Sequence, residues 1–344
     1  MPPPMAPPQS AIQAGPGRSA RFIVLEVRPD GEERVREALA AVPNLVRAVG
    51  HRDEAMGLSC VVGIGADAWS RLQPGYSRPA QLHAFRALAD GGRVAPSTPG
   101  DVLLHIRAER EDFCHELARL LLERLGDAVT VADETHGFGY FDSRDLIGFV
   151  DGTENPTGDE RGAFTIVGEE DPDHAGGSYV TVQRYVTDLG AWQATSTEAQ
   201  EGVIGRTKID DVELEDERCL PTAHKERAKI VRDGAEQKIL RHNRAYGSAR
   251  EAGTYFIAYA RDLSVTEGML ERMFVADADG NYDRLLDFSH PVTGVHFFAP
   301  SQDALEALAD PGPAPEAEAA LAPEAVAAPP AGDTSLGIGS LRPR

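Results

Sequence analysis

Gly148-Phe149-Val150-Asp151-Gly152-Thr153-Glu154-Asn155-Pro156 divides the chain into two stretches of matching strand and helix order. Glycines on both sides of Asp151 let the backbone come close to another group, and Pro156 stiffens the exit. The run lacks the glycine and lysine spacing of a phosphate-binding loop, and its aspartate and glutamate would repel phosphate. Taken alone it reads equally well as an Asx-type turn between two domains.

Upstream, the order is strand, helix, strand, strand, helix, strand. Phe22 to Val27 is apolar and β-branched and stops at Pro29-Asp30-Gly31. Val35, Ala38, Leu39 and Val42 recur at helical spacing, which predicts a helix ended by Pro43. Leu58 to Ile64 and Val102 to Ile106 read as strands. Phe113, Leu117, Leu120 and Leu121 mark a helix closed by Gly126, and Val129 and Val131 begin a fourth strand. Downstream the order returns more loosely. Tyr179 to Val186 alternates as a strand, and Thr197 with Gln200 has capping-box spacing before a helix around Val203 and Ile204. Residues 254–260 form a strand, Met269 to Phe274 a helix, and Gly294 to Phe298 a last strand. Arg107-Ala108-Glu109 after one strand is weakly echoed by Arg261-Asp262 after its counterpart. The expectation is an α+β fold of two ferredoxin-like halves, residues 20–140 and 141–305. An insertion at about residues 207–250 interrupts the second half, and long irregular insertions are disproportionately functional.

The ends differ in composition. Residues 1–19 are expected to be disordered, since six prolines fall within the first 17. Residues 306–332 read as a flexible linker; 311–332 hold six Pro and nine Ala. With 34 basic and 55 acidic residues the net charge is −21, which disfavours nucleic acid and anionic membranes. Cys60, Cys114 and Cys219 form neither a disulfide framework nor a zinc pattern, as expected in a reducing compartment. The N-terminus has no signal-peptide pattern and no apolar run is long enough to span a bilayer, so a cytoplasmic protein is expected.

Ten histidines occur without a paired metal motif, and a lone histidine is usually a surface or core residue. His224 stands apart because it lies in the insertion, in Leu220-Pro221-Thr222-Ala223-His224. Downstream comes Ile239-Leu240-Arg241-His242-Asn243, where Arg241 follows two apolar residues as if its strand faced a pocket. Composition alone favours a surface cation there, beside Lys238 and Arg244.

In combination these residues resemble the dye-decolourising peroxidases, specifically the B-type haem peroxidases of bacteria. The family's GxxDG loop is matched by Gly148 to Gly152, and the likeness runs from about residue 20 to 303, including His296-Phe297-Phe298-Ala299-Pro300-Ser301. The resemblance implies a duplicated, dimeric α+β barrel-like fold enclosing one haem b per subunit. It implies His224 as the proximal iron ligand, with a carboxylate partner for which Asp287 is the candidate. On the distal side it implies Asp151 and Arg241 as the peroxide-handling pair. The carboxylate can accept and return a proton and the guanidinium can stabilise charge on a departing oxygen. Asn243 would position a water or either neighbour, and Gly152, Thr153 and Glu154 would contact the cofactor. Glu154, Glu213 and Glu236 are candidates for holding manganese(II). Hydrogen peroxide and a reducing substrate, such as a dye or a phenolic compound, are the expected reactants. Two other readings remain: chemistry on chlorite or on the porphyrin and its iron, and a non-catalytic cargo module of the same fold.

The C-terminal residues 333–344 carry Ser335-Leu336-Gly337-Ile338-Gly339-Ser340-Leu341. A short apolar motif after a linker reads as a tethered ligand. Residues 335–341 closely resemble the cargo-loading peptide of encapsulin shells, which implies a homo-oligomer held inside a protein nanocompartment, where several tails would add avidity.

Overall fold

The computed structural model describes residues 6–310. The first half contains β1 (Ser19–Val27), α1 (Glu32–Ala40), α2 (Val42–Gly50), β2 (Ser59–Gly65), β3 (Val102–Ala108), α3 (Glu111–Leu125) and β4 (Val129–Phe138). The second contains β5 (Ser178–Thr187), α4 (Leu189–Ala194), α5 (Thr197–Ile204), α6 (His224–Arg227), β6 (Leu240–Arg241), β7 (Arg244–Gly247), β8 (Ala252–Ala260), α7 (Leu263–Phe274) and β9 (Val295–Ala299). The halves order their strands alike, β4-β1-β3-β2 and β7-β8-β5-β9, with all neighbours antiparallel. Their sheets then join at both edges. Tyr246 on β7 lies opposite Gly137 on β4, and Phe298 on β9 lies opposite Ile64 on β2. The two four-stranded sheets therefore close into a barrel.

Strand alternation sorts the side chains. Phe22, Val24, Leu103, Val182, Tyr255, Ile257 and Phe297 fill the barrel. Ile23, Leu25, Leu104 and Ile106 face outward and pack under α1, α2 and α3. On the second half, Tyr185 and Phe256 face outward towards Leu270, Met273 and Phe274 of α7.

Several expectations are corrected. Pro43 lies in the first turn of α2 and opens that helix, because a residue there needs no amide donor. Ser196, not Thr197, caps α5, its hydroxyl accepting from Ala199 N at 3.3 Å. Helix α7 starts at Leu263, well before Met269, because Asp262 caps it. Residues 240–247 are not part of an insertion but the barrel strand that faces β8. The N-terminal stretch is not disordered throughout. Gln9 and Ile12 are 2% and 0% exposed. The Gln9 amide donates to the carbonyls of Val62 and Pro300 and accepts from Val62 N, each at 2.9 Å. The described start of the expected linker is structured instead: Glu306 ends a helix that begins at Gln302, and Ala307–Ala309 form a 3-10 turn with Leu308 in the core beside α1. The linker from residue 311 and the peptide at 333–344 lie outside the described residues, as do residues 1–5.

Candidate active site

The glycine-rich run is one arm of a small hairpin. Asp145 N donates to Phe149 O and Asp151 N to Ser143 O, both at 2.9 Å, with Arg144 opposite Val150. The turn between them requires Gly148 in the left-handed region at φ 92°, where a Cβ would also lie 2.6 Å from Lys208 Cε. Arg144 leaves one face of the hairpin and donates to the carbonyls of Gly148 at 2.8 Å and Lys208 at 2.6 Å. Asp145 and Asp151 lie on the other face and both line a cavity of about 320 Å³.

The run continues as a clamp on the strand that carries Arg241. Asn155 Oδ1 accepts from Arg241 N at 2.9 Å, and its Nδ2 donates to Arg241 O at 2.8 Å. A side-chain amide thus replaces a neighbouring strand. Asn243 makes two further bonds: Nδ2 to Asp151 Oδ1 at 3.3 Å, and Oδ1 from Ile257 N at 3.2 Å. Arg241 and Asn243, two residues apart, line the cavity. His242 and Arg244 turn the other way, towards the barrel interior, where burial and nearby arginines hold the His242 imidazole neutral. Burial lowers Arg244 to about 10, which leaves it cationic at neutral pH.

His224 begins α6, after Ala223, and lines the same cavity. Its Nδ1 lies 2.6 Å from Asp283 Oδ2, and Asp283 is completely buried. The other Asp283 oxygen accepts from Leu285 N at 2.9 Å, so the carboxylate is fixed from both sides. Donation from Nδ1 to Asp283 leaves Nε2 with a free lone pair. Asp287, the expected partner, instead accepts from Tyr282 Oη at 2.9 Å and pairs with Arg284 at 2.5 Å. That expectation is corrected: the 3-10 turn at 284–287 directs Asp283 inward to His224 and Asp287 to the surface pair.

Two family profiles cover this fold: "Dyp-type peroxidase, N-terminal" matches residues 9–139 and "Dyp-type peroxidase, C-terminal" residues 142–304. The chain belongs to the Dyp-type peroxidase family. It is 51% identical to a dye-decolorizing peroxidase of Mycolicibacterium paratuberculosis, over 94% of this chain and 90% of that one. A DypB variant from Rhodococcus jostii RHA1, solved in complex with heme, superposes with a TM-score of 0.85 at 50% identity, covering 89% of this chain and 99% of that one. The encapsulated DyP-type peroxidase of Mycobacterium smegmatis gives 0.86 at 49% identity, covering 90% and 100%. This Dyp-type peroxidase is a haem-dependent enzyme that uses hydrogen peroxide to oxidise a reducing substrate.

The cavity of this Dyp-type peroxidase suits haem. Ile204, Phe256, Leu270, Met273, Leu285 and Leu286 give apolar walls for a flat macrocycle, while His224 supplies an imidazole with a fixed ring plane. Arg206, Lys225, Lys229 and Lys238 line the cavity as well and would offer cations to the propionates. Gly152, Thr153 and Glu154 also line it. All lining residues fall between Asp145 and Ser289, so the second half alone builds the cavity, which does not lie between the halves.

The expected manganese set is not gathered into a chelate. Arg206 Nη1 pairs with Glu154 at 2.9 Å and Glu213 at 3.1 Å, and Glu213 also meets Lys225. Glu236 lines the cavity from a short strand at Ala235–Gln237. Among the described residues no three His, Cys, Asp or Glu side chains converge as a metal site. Sequence reading also passed over Asp145 and Asn155. The signal for Asp145 was an aspartate three residues before the turn glycine Gly148.

Proposed function

We propose that His224 holds the haem iron through Nε2, with Asp283 fixing its ring, and that Asp151, Asn243 and Arg241 handle peroxide on the other side. The observation that carries this assignment is a single cavity receiving both a carboxylate-anchored imidazole and a carboxylate–amide–guanidinium group. Bound haem supplies an iron that takes peroxide and passes two oxidising equivalents to the reductant. Asp151 accepts a proton from the inner peroxide oxygen and returns it to the outer one, so that water leaves. Asn243 Nδ2 holds the Asp151 carboxylate in position for that transfer. Arg241 is permanently charged and stabilises the negative charge on the departing oxygen. Asn155 holds its backbone at both N–H and C=O, which fixes where the side chain leaves the strand.

The decisive test is the absorbance spectrum of the purified chain, before and after peroxide. Histidine-ligated haem gives a Soret band near ~400 nm that changes on peroxide addition. A colourless chain that takes up no added haem overturns the assignment.

The C-terminal peptide carries a second proposal, that this peroxidase is a homo-oligomeric cargo of an encapsulin shell through residues 335–341. It is supported by Leu336, Ile338 and Leu341 spaced by glycines after the Ala/Pro linker, and by the similarity to the encapsulated peroxidase of M. smegmatis. Co-expression with a shell protein tests it: residues 312–344 fused to an unrelated protein carry that protein into shells. A fusion that stays outside refutes it.

A further inference from the structure

Asp145 is a carboxyl in the cavity wall that the mechanism above does not use. The Arg144–Val150 bridge makes Asp145 and Asp151 diagonal neighbours on one face of the hairpin. Such positions lie roughly 7–8 Å apart at Cα, within reach of each other's charge. One Asp145 oxygen accepts from Ile147 N at 3.1 Å and Phe149 N at 3.2 Å, which ties the turn to the segment that delivers Asp151. The surroundings are otherwise apolar, with Ile147 and Phe149 packed on Trp192, whose Nε1 donates to Ile147 O. Few charges face this carboxyl. Arg144 points away, and Lys208 lies over the Phe149 ring, bonded to Gln200 Oε1 of α5. His224 and Arg241 look into the cavity from other elements.

We propose that Asp145 is a positioning residue acting through Asp151: it anchors the hairpin and, by keeping or losing its own proton, sets the pH range in which Asp151 works. This deepens the peroxide assignment and rests on it. Burial, reinforced by the Asp151 charge, pushes the Asp145 carboxyl up to about 7. Below that pH, Asp145 is neutral and leaves Asp151 as the proton acceptor. Above it, a second negative charge on the same face opposes the charge that develops on the departing oxygen and holds the transferred proton more tightly on Asp151, so that its return slows.

The test has two arms. In the first, the haem-free protein is titrated by infrared spectroscopy, which reads protonated carboxyls directly. A carboxyl band present at about pH 6 and lost by about pH 8 should vanish in Asp145→Asn. In Asp151→Asn it should persist but titrate at lower pH, since the like-charged neighbour is gone. A band unaffected by Asp145→Asn overturns the proposal, as does an unshifted titration in Asp151→Asn. The latter reads the pair even if Asp145→Asn does not fold.

In the second arm, the haem-loaded protein is mixed with peroxide across pH. The wild-type rate should fall through a midpoint near the Asp145 titration. In Asp145→Asn, whose amide oxygen still accepts from Ile147 and Phe149, that midpoint should move up by more than one unit or disappear. An unchanged profile overturns the role towards Asp151. If the chain takes up no haem, the peroxidase assignment fails while the infrared arm still reports on the carboxyl pair.

Discussion

A buried carboxylate on the far nitrogen of a metal-facing imidazole fixes the ring and raises its basicity. Asp283 meets the Nδ1 of His224 and Asp287 pairs with Arg284 instead, which makes the two acids a matched control. Asp283→Asn should weaken haem binding by ~10–100-fold in a titration of the haem-free protein, whereas Asp287→Asn should leave it unchanged. His224→Ala should lose most of the haem, since no other histidine lines the cavity; full occupancy with an unaltered spectrum would refute the ligand. On the peroxide side, Asp151→Ala and Arg241→Leu should each retain haem while slowing the spectral response to peroxide by ~10²–10⁴-fold. Stopped-flow rates within a few-fold of wild type in both variants would remove these residues from the mechanism. Asp283 and Asp287 share one short segment, and from sequence nothing distinguishes them. Only the 3-10 turn between them decides which faces inward. His224, Asp151 and Arg241 were legible because their order along the chain, next to the glycine loop, carries the family likeness. The Asn155 clamp was not legible, because a side chain imitating a strand leaves no periodic trace.

Among the elements, the barrel strands were read from alternation and apolar runs, whose cause is burial on both faces. The misread pieces are those where local chemistry outweighs pattern. Proline can end one helix or start the next, and Ala41 is the only residue between α1 and α2, so spacing alone could not tell. The start of α7 was missed because Ser264, Val265 and Thr266 carry weak helix propensity, which the Asp262 cap and packing overcome. Residues 240–247 looked irregular because Asn243 substitutes its side chain for a ladder bond. The N-terminal segment was judged on proline content, yet its non-proline residues occupy the barrel. Arg107 donates to the carbonyls of Ala11 and Ala14, and Arg244 to that of Gly17. Ile12→Ala should therefore destabilise the haem-free protein by about 2–5 kcal/mol in urea unfolding, the cost of emptying a core site. A loss under about 0.5 kcal/mol, the usual size for a surface position, would show that this segment is not part of the core.

For the molecule as a whole, Asp145 links stability to pH. Its folded titration near 7 lies above the ordinary aspartate range, so the folded state binds the proton more tightly than the unfolded chain. The resulting stability is complete below about pH 4 and is lost as pH rises through 7, up to about 4 kcal/mol. Asp145→Asn should gain on wild type across that window, and parallel stability curves would contradict it. Removing the chain after Pro311 should leave unfolding and peroxide turnover nearly unchanged while abolishing shell loading, since the described core ends at Leu308. Barrel closure also dictates an order of assembly. Its closing seam joins residues far apart in the chain, Ile64 to Phe298, so it cannot form until nearly all of the chain has left the ribosome. Until then the completed first half presents β2 and β4 as open edges, able to accept strands from any neighbouring copy. Residues 6–139 made alone should therefore self-associate. The two ferredoxin-like halves, although separable in sequence, cover each other's sheet edges only together.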